Sequence, residues 1–106
     1  MPSSKLIDQT CKDKTVALKE DAIKKLLKSV KGWKRSGDEI RRAFEFKDFY
    51  QTMAFVNAVA YIANQQNHHP DMEVGYNKLA IRFSTHSVGG LSMNDFICAA
   101  KIDGLD

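Results

Sequence analysis

The three histidines of this chain fall within 19 residues, and their grouping is the feature of the sequence best suited to chemistry. His68 and His69 are adjacent and are followed by Pro70, and His86 comes 16 residues after the proline. Histidine can give or take a proton near neutral pH, because its unperturbed pKa is about 6.5. Histidines confined to one segment can form a single site if the chain between them folds back on itself.

Three interpretations of this cluster remain open from the residue types alone. Three imidazoles could hold a zinc ion with one open position, or they could donate and accept protons on a small polar ligand. Each could also cap a loop or a helix end without any chemical role. Neighbouring histidines rarely direct both rings at one ion, and the carboxylates Asp71, Glu73 and Asp95 complete no familiar ligand spacing. The spacing therefore favours an acid–base pocket over a metal site.

Two local signals predict how the chain brings the histidines together. Pro70 ends any helix that continues through His68 and His69, because proline lacks a backbone donor and disfavours helical geometry before it. Apolar residues alternate with polar or small ones over 79–83, which predicts a half-buried strand whose end delivers His86. Adjacent side chains on extended backbone point apart. We therefore expect the two neighbouring histidines to do different work.

The elements that must position these residues are predicted from apolar periodicity and turn residues. They are a helix over 16–30, strands over 33–35 and 40–46, a helix over 48–66, strands over 73–75 and 79–83, and a helix to about 102. Ser92 and Asp95 fit a capping box that begins the last helix. Strands joined by short turns favour antiparallel pairing. The prediction is an α+β fold in the order α-β-β-α-β-β-α, with three helices packed on one face of a four-stranded antiparallel sheet.

The helix predicted over 48–66 is apolar almost all round. Phe49 and Val56 lie on one apolar stripe, and Phe55 and Val59 lie on another. A surface helix of a small monomer needs only one such stripe. The second stripe would face water unless another subunit covered it. The pattern predicts oligomerisation through this helix.

Length and composition place the chain among small single-domain proteins. Its 106 residues are 43% apolar, which is enough for one domain with its own core. Residues 1–14 are predicted to be a flexible N-terminal lead-in, and 15–106 to be the folded domain. No apolar run approaches a membrane span, and the start lacks the apolar core of a signal peptide. Two cysteines make no disulfide framework, so we expect a reduced, cytoplasmic or nuclear location.

Charge is distributed unevenly along the chain. Residues 1–47 carry 13 Lys and Arg against 7 Asp and Glu, whereas 48–106 carry 3 against 6. A basic half can indicate an acidic partner such as nucleic acid. These lysines lack the interleaved aromatic residues of a known reader motif. We therefore expect a solvated helix face and no direct binding of nucleic acid.

Other catalytic chemistries have weaker support. Cys98 lies among apolar neighbours and is expected to be a core thiol. Ser84 and Ser87 flank the last histidine, but no nucleophile elbow is present. The glycine pair at 89–90 has no lysine in phosphate-loop spacing. Asp95 has a structural explanation as a member of the capping box.

A specific resemblance emerges from the spacing of the motif residues. The motif starts with His68-His69-Pro70; Tyr76 follows after five residues, His86 after nine more and Asp95 after another eight. This spacing resembles the signature of the pterin-4a-carbinolamine dehydratases. Supporting stretches are Gly32-Trp33, Phe46-Lys47-Asp48-Phe49, Tyr76-Asn77-Lys78, Thr85-His86 and Gly90-Leu91-Ser92. The likeness extends over about residues 23–102, which is nearly the whole predicted domain.

The resemblance implies a fold, a reaction and a set of partners. The implied fold is the α+β arrangement above, assembled into dimers and, through the long helix, tetramers. The implied reaction dehydrates a 4a-hydroxytetrahydropterin to the quinonoid dihydropterin in tetrahydrobiopterin recycling, with no metal and no organic cofactor. Some members also stabilise dimers of a homeodomain transcription factor. A non-catalytic module that binds such a factor is therefore the alternative function.

The resemblance also implies roles for individual residues. His68 and His86 would be the acid–base pair, because loss of the C4a hydroxyl requires a proton to be donated and another to be removed. The implied substrate-binding set is His69, Asp95, Pro70 and Thr85, with His69 orienting the pterin. Asp95 is expected to help orient His86 while it caps its helix.

Overall fold

The computed structural model describes residues 5–105, and there the chain folds in the predicted order of elements. The three helices and four strands are α1 (Glu20–Leu27), β1 (Lys34–Ser36), β2 (Glu39–Glu45), α2 (Phe49–Gln66), β3 (Asp71–Val74), β4 (Lys78–Phe83) and α3 (Met93–Asp103). Single turns of 3-10 helix lie at Leu6–Asp8 and His86–Val88. The α+β class and the order α-β-β-α-β-β-α are thereby confirmed.

The sheet has strand order β1-β2-β4-β3, and each neighbouring pair is antiparallel. β2 and β4 form its centre, where Ile40 lies opposite Phe83 and Phe44 lies opposite Leu79. Alternate residues of β4, including Ile81, are buried. This alternation confirms the half-buried strand that the sequence predicts. The buried side chains of both central strands join one hydrophobic core with the helices.

α3 is the most deeply buried helix and packs against α2 in the core. Phe96, Cys98 and Ile102 of α3 are inaccessible to solvent, as is Val59 of α2. Cys98 is therefore a core thiol, as the sequence predicts. Among residues 5–105, no helix is long and apolar enough to cross a membrane.

α2 has clear ends and an incompletely covered surface. The Asp48 carboxylate accepts the backbone N–H of Gln51 at 2.9 Å and caps its start, and Asn67, with φ of 52°, ends it in the left-handed region. Tyr50 and Tyr61 on its surface are 85% and 64% exposed. Assembly through this helix remains a prediction, and this aromatic surface is what a second copy would cover.

α1 runs only from Glu20 to Leu27 and is therefore shorter than the helix predicted over 16–30. Leu18 lies before the helix, and its backbone N–H donates to the carbonyl oxygen of Leu91 at 2.8 Å. This long-range hydrogen bond holds the residues before α1 against the loop that precedes α3, so they do not join the helix. Local apolar periodicity could not indicate that competing bond.

Part of the predicted lead-in over 1–14 packs against the folded domain. Residues 1–4 lie outside the described residues. Leu6 is buried in the core, and the 3-10 turn that contains it contacts α3. The ammonium group of Lys101 donates to the carbonyl oxygen of Ile7 at 2.7 Å. The described part of the segment thus has defined contacts with α3.

Replacement of Gly32 by alanine is expected to lower the free energy of unfolding by about 1–2 kcal/mol. Gly32 has φ of +82°, and an added Cβ would lie 2.9 Å from Nε of Arg42. Arg42 is held in turn by Asp103, whose carboxylate accepts from Nη1 at 2.5 Å. Gly37→Ala is the matched control, because φ is +61° and the Cβ meets open space. Urea denaturation should show a smaller loss for the control; an equal loss would exclude the contact with Arg42 as a cause.

Candidate active site

A buried carboxylate joins one of the histidines to the start of α3. The Nε2 atom of His68 lies 2.6 Å from Oδ1 of Asp95. Oδ2 of Asp95 accepts the hydroxyl of Thr85 and the backbone N–H of Ser92, each at 2.9 Å. Asp95 is 0% exposed. A carboxylate buried to this extent requires several donors, and these three hydrogen bonds supply them.

The hydroxyl groups around Asp95 form a directional chain. Oγ of Ser92 lies 2.7 Å from Oγ1 of Thr85. Because the Thr85 proton is donated to Asp95, the Ser92 hydroxyl donates to Thr85 and keeps its acceptor capacity for the N–H of Asn94. The Ser92 and Asp95 capping box therefore serves two purposes. It begins α3, and it orients the carboxylate towards the histidine.

The end of α2 positions the His68 ring against this carboxylate. The left-handed turn at Asn67 lets the backbone N–H of His68 donate to the carbonyl oxygen of Ala63 at 3.1 Å. The ring then stacks on Phe83, with centroids 5.7 Å apart and planes 9° apart. The side chain is 11% exposed. Three separate contacts thus hold the imidazole in one orientation.

The contact with Asp95 determines which ring nitrogen of His68 is left for other partners. A carboxylate accepts hydrogen bonds, so Nε2 carries the proton that is donated to Asp95. In the neutral ring, Nδ1 is then the nitrogen with a free lone pair. A carboxylate in this position also compensates the positive charge that the ring acquires when it takes a second proton. The pair therefore has the arrangement of an oriented proton acceptor.

His86 and His68 line neighbouring depressions with a shared wall. His86 begins the 3-10 turn after β4 and is exposed, in a depression of about 320 Å³ that also contains Asp38 and Thr85. His68 lines a depression of about 280 Å³ together with Thr85 and Asn94. Thr85 lines both. The return of β4 therefore brings the two histidines to the same end of the sheet.

His69 and Pro70 occupy the outer side of this region. His69 is exposed, whereas the preceding histidine is largely buried, and Pro70 is half-buried just before β3. The different burial of the adjacent histidines agrees with side chains that point apart on extended backbone. Within residues 5–105, no three His, Cys, Asp or Glu side chains are grouped closely enough to hold a metal ion.

The expectation that Asp95 orients His86 is wrong, because its carboxylate contacts His68 instead. Asp95 lies in the first turn of α3 with its side chain directed back at the cap. The ring of His86 is exposed on the 3-10 turn. The family resemblance implied this pairing of residues nine positions apart. The observed bond joins residues 27 apart and depends on the left-handed turn that ends α2.

Two supporting residues were not identified from the sequence. The side chain of Asn94 accepts a hydrogen bond from the backbone N–H of Lys12 at 3.0 Å and donates one to the carbonyl oxygen of the same lysine at 2.8 Å. The side-chain oxygen of Gln66 accepts the N–H of Cys11 at 2.8 Å. These bonds place the N-terminal segment on one side of the His68 depression, which Lys12 also lines. No local pattern could indicate contacts 82 and 55 residues apart.

Comparison with known proteins identifies relatives over most of the chain. The family model described as "Pterin 4 alpha carbinolamine dehydratase" matches residues 16–105. A protein of Nitrosospira multiformis named "Putative pterin-4-alpha-carbinolamine dehydratase" is 53% identical over 95 residues, which are 90% of this chain and 84% of that protein. A protein of the same name from Legionella pneumophila strain Paris is 54% identical over 100 residues, covering 92% and 88%.

Two solved structures share the fold. The crystal structure of a "transcriptional coactivator/pterin dehydratase" from Brucella melitensis superposes with a TM-score of 0.81 and 30% identity, over 84% of this chain and 97% of that one. A structure described as a pterin dehydratase-like protein that is a RuBisCO assembly factor in the alpha-carboxysome has a TM-score of 0.57 and 23% identity, over 69% and 84%. The second likeness concerns the fold alone.

Proposed function

The chain belongs to the pterin-4-alpha-carbinolamine dehydratase family, and on that basis we propose that it converts a 4a-hydroxytetrahydropterin into the quinonoid dihydropterin by removing water. It would act as a hydro-lyase in the recycling of tetrahydrobiopterin-type cofactors in the cytoplasm. The observation that carries the proposal is the His68–Asp95 pair at 2.6 Å, beside a depression at the end of the sheet.

The reaction explains why two proton-transfer groups are needed. The hydroxyl at C4a leaves as water only after it receives a proton. The lone pair of the adjacent ring nitrogen expels it, and the N–H of that nitrogen must then lose its proton. General acid–base catalysis of such steps contributes about 10²–10⁴-fold each. Imidazoles suit both tasks near neutral pH.

We assign His68 as the proton acceptor and His86 as the proton donor. His68 has Nε2 committed to Asp95, so Nδ1 is the nitrogen available to take a proton from the substrate. His86 is exposed and can be reprotonated from solvent after each turnover. A pterin that lies across Thr85, the shared wall of the two depressions, would meet both rings.

The remaining residues of the proposed site bind the pterin or position other residues of the site. His69 is exposed at the rim and is proposed to orient the pterin, with Pro70 shaping the backbone between the two histidines and β3. Thr85 forms the shared wall. Asp95 acts through His68 rather than on the substrate, since its oxygens are occupied by protein donors. No metal and no organic cofactor takes part in this proposal.

A homodimer or homotetramer through residues 48–66 is part of the proposal, because α2 leaves Tyr50 and Tyr61 largely exposed. The same surface supports an alternative function, a protein-binding module that acts on a transcription-factor partner. The Brucella melitensis structure is described as a transcriptional coactivator as well as a pterin dehydratase. A stable tetramer through α2 would compete with such a partner for this surface.

The direct test is to follow formation of quinonoid dihydropterin from synthetic 4a-carbinolamine with the purified protein. The wild-type chain should exceed the rate in buffer by several orders of magnitude. The double variant His68→Ala/His86→Ala should return close to the buffer rate while it remains folded by circular dichroism. A wild-type protein no faster than buffer would exclude the enzyme and favour the binding module.

Removal of metal is expected to leave the dehydration rate unchanged. The chemistry requires only proton transfer, which the histidines can perform. The measurement compares turnover before and after dialysis against a chelator, with metal analysis of both samples. Loss of activity that stoichiometric zinc restores would contradict the assignment of the histidines as acid and base.

A further inference from the structure

Two cysteines from opposite ends of the chain meet beside the candidate active site. Sγ of Cys11 lies 3.5 Å from Sγ of Cys98, across 87 residues of sequence. Both are free thiols; Cys98 is buried in α3 and Cys11 is half-buried in the N-terminal segment. The thiol of Cys11 also donates to the carbonyl oxygen of Asn94 at 3.6 Å. With the Cys11 proton directed there, Cys98 is the donor between the two sulfurs.

The backbone around Cys11 is held from two sides, which keeps this segment beside the start of α3. Its N–H donates to the side chain of Gln66 in the last turn of α2. The next residue, Lys12, exchanges two hydrogen bonds with the side chain of Asn94 in the first turn of α3. A disulfide would require the sulfurs to move about 1.5 Å closer, to the usual bond length near 2.05 Å.

The two thiols have opposite reactivities. The hydrogen bond from Cys98 lowers the pKa of Cys11, against the effect of burial, and the ammonium charge of Lys101 lowers it further while the Asp95 carboxylate opposes it. The same bond to Cys11, together with burial, raises the pKa of Cys98 well above its usual range. The thiolate is the nucleophilic form. Cys11 is therefore suited to attack first, and Cys98 to resolve.

We propose that Cys11 and Cys98 are a reversible redox site, which a low-molecular-weight disulfide of the glutathione type converts into an intramolecular disulfide that ties the N-terminal segment to α3. The proposal is independent of the dehydratase assignment.

The exchange balances in two displacements. The Cys11 thiolate attacks one sulfur of the small disulfide, forms a mixed disulfide and releases one thiolate. Cys98 then loses its proton and attacks Sγ of Cys11, which releases the second thiolate. The protein loses two electrons and two protons, and the small disulfide becomes two thiols. Capping of Cys11 removes the largest cause of the raised pKa of Cys98, which assists the second step.

Oxidation would tighten one wall of the His68 depression. Lys12 and Asp13 line that depression and follow Cys11 directly. Cys98 lies one helical turn after Asn94 and Asp95 in α3. In the reduced protein this wall is held by hydrogen bonds; in the oxidised protein a covalent bond would fix it. The redox state would thus set how firmly the N-terminal segment is attached beside the site.

The test treats the reduced, purified protein with oxidised glutathione and follows intact mass, melting temperature and tryptic cleavage after Lys12 and Lys14. The mass should fall by two hydrogen atoms, with no retained glutathione and no covalent dimer. The melting temperature should rise by at least about 5 °C. Cleavage in the segment should slow several-fold, and dithiothreitol should reverse all three changes.

Single-cysteine variants separate the two roles. Cys98→Ala should retain one glutathione on Cys11, because the resolving thiol is absent. Cys11→Ser should take up little glutathione, because Cys98 is buried. This variant still tests Cys11 as the attacking thiol if Cys98→Ala does not fold. A stable mixed disulfide on the wild-type protein, a disulfide between two chains, or an unchanged melting temperature after oxidation would each overturn the proposal.

Discussion

Replacement of His68 by alanine is expected to lower kcat for dehydration of the 4a-carbinolamine by about 10²–10⁴-fold. Among residues 5–105, His68 is the only titratable ring that contacts the buried Asp95 carboxylate and also lines the adjacent depression, and the substitution removes it. The loss should appear in kcat rather than in KM, since proton transfer occurs in the transition state. Stopped-flow measurement of quinonoid dihydropterin formation provides both constants.

His68→Gln is the matched control for this prediction. A glutamine amide can still donate to Asp95, so the buried carboxylate keeps a partner, but the amide cannot take a proton. We expect near wild-type stability together with the same loss of kcat. The neighbouring variant His69→Ala should instead raise KM and leave kcat within a few-fold. Equal kcat in His68→Gln and wild type would rule out proton transfer by His68.

Replacement of Asp95 by alanine is expected to have the second-largest effect, on stability and on rate together. It removes the acceptor of three hydrogen bonds in a position that is 0% exposed. Loss of the capping box costs about 1 kcal/mol, and each donor left unpaired adds about 1–3 kcal/mol. Because the capping box already includes the N–H of Ser92, two further donors are left to count, and the free energy of unfolding should fall by at least about 3 kcal/mol. Urea denaturation measures that loss, and kcat should fall at least about 10-fold because His68 loses its orienting partner.

Two variants separate the capping role of Asp95 from its role at the histidine. Asp48→Ala removes the cap of α2 at the end remote from His68, and should cost about 1 kcal/mol with kcat preserved. Asp95→Asn keeps the size and part of the hydrogen bonding but removes the charge. Its stability should lie between those of wild type and Asp95→Ala, with kcat still reduced. Unchanged kcat in Asp95→Asn would show that the carboxylate serves only the fold.

The elements of this fold were predictable where local physics decides them. Alternation over 79–83 matched the buried pattern of β4, and the caps at Asp48 and Ser92 began α2 and α3 where the sequence indicates. α1 was predicted too long, since Leu18 uses its backbone donor in a long-range bond to the loop before α3. Helix propensity contains no information about such a bond. Element type was therefore more predictable than element boundaries.

By itself, the sequence determined which chemical groups the chain carries and the short-range order in which they occur. The histidine pair before Pro70 and the capping box at Ser92 depend on neighbouring residues, and the family signature depends on fixed spacings along the chain. Only the tertiary structure decided that Asp95 pairs with His68 and that Cys11 meets Cys98. Those contacts join residues 27 and 87 positions apart. They form because α2, β4 and α3 pack into one core, and packing, unlike periodicity, is not encoded in any local stretch of chain.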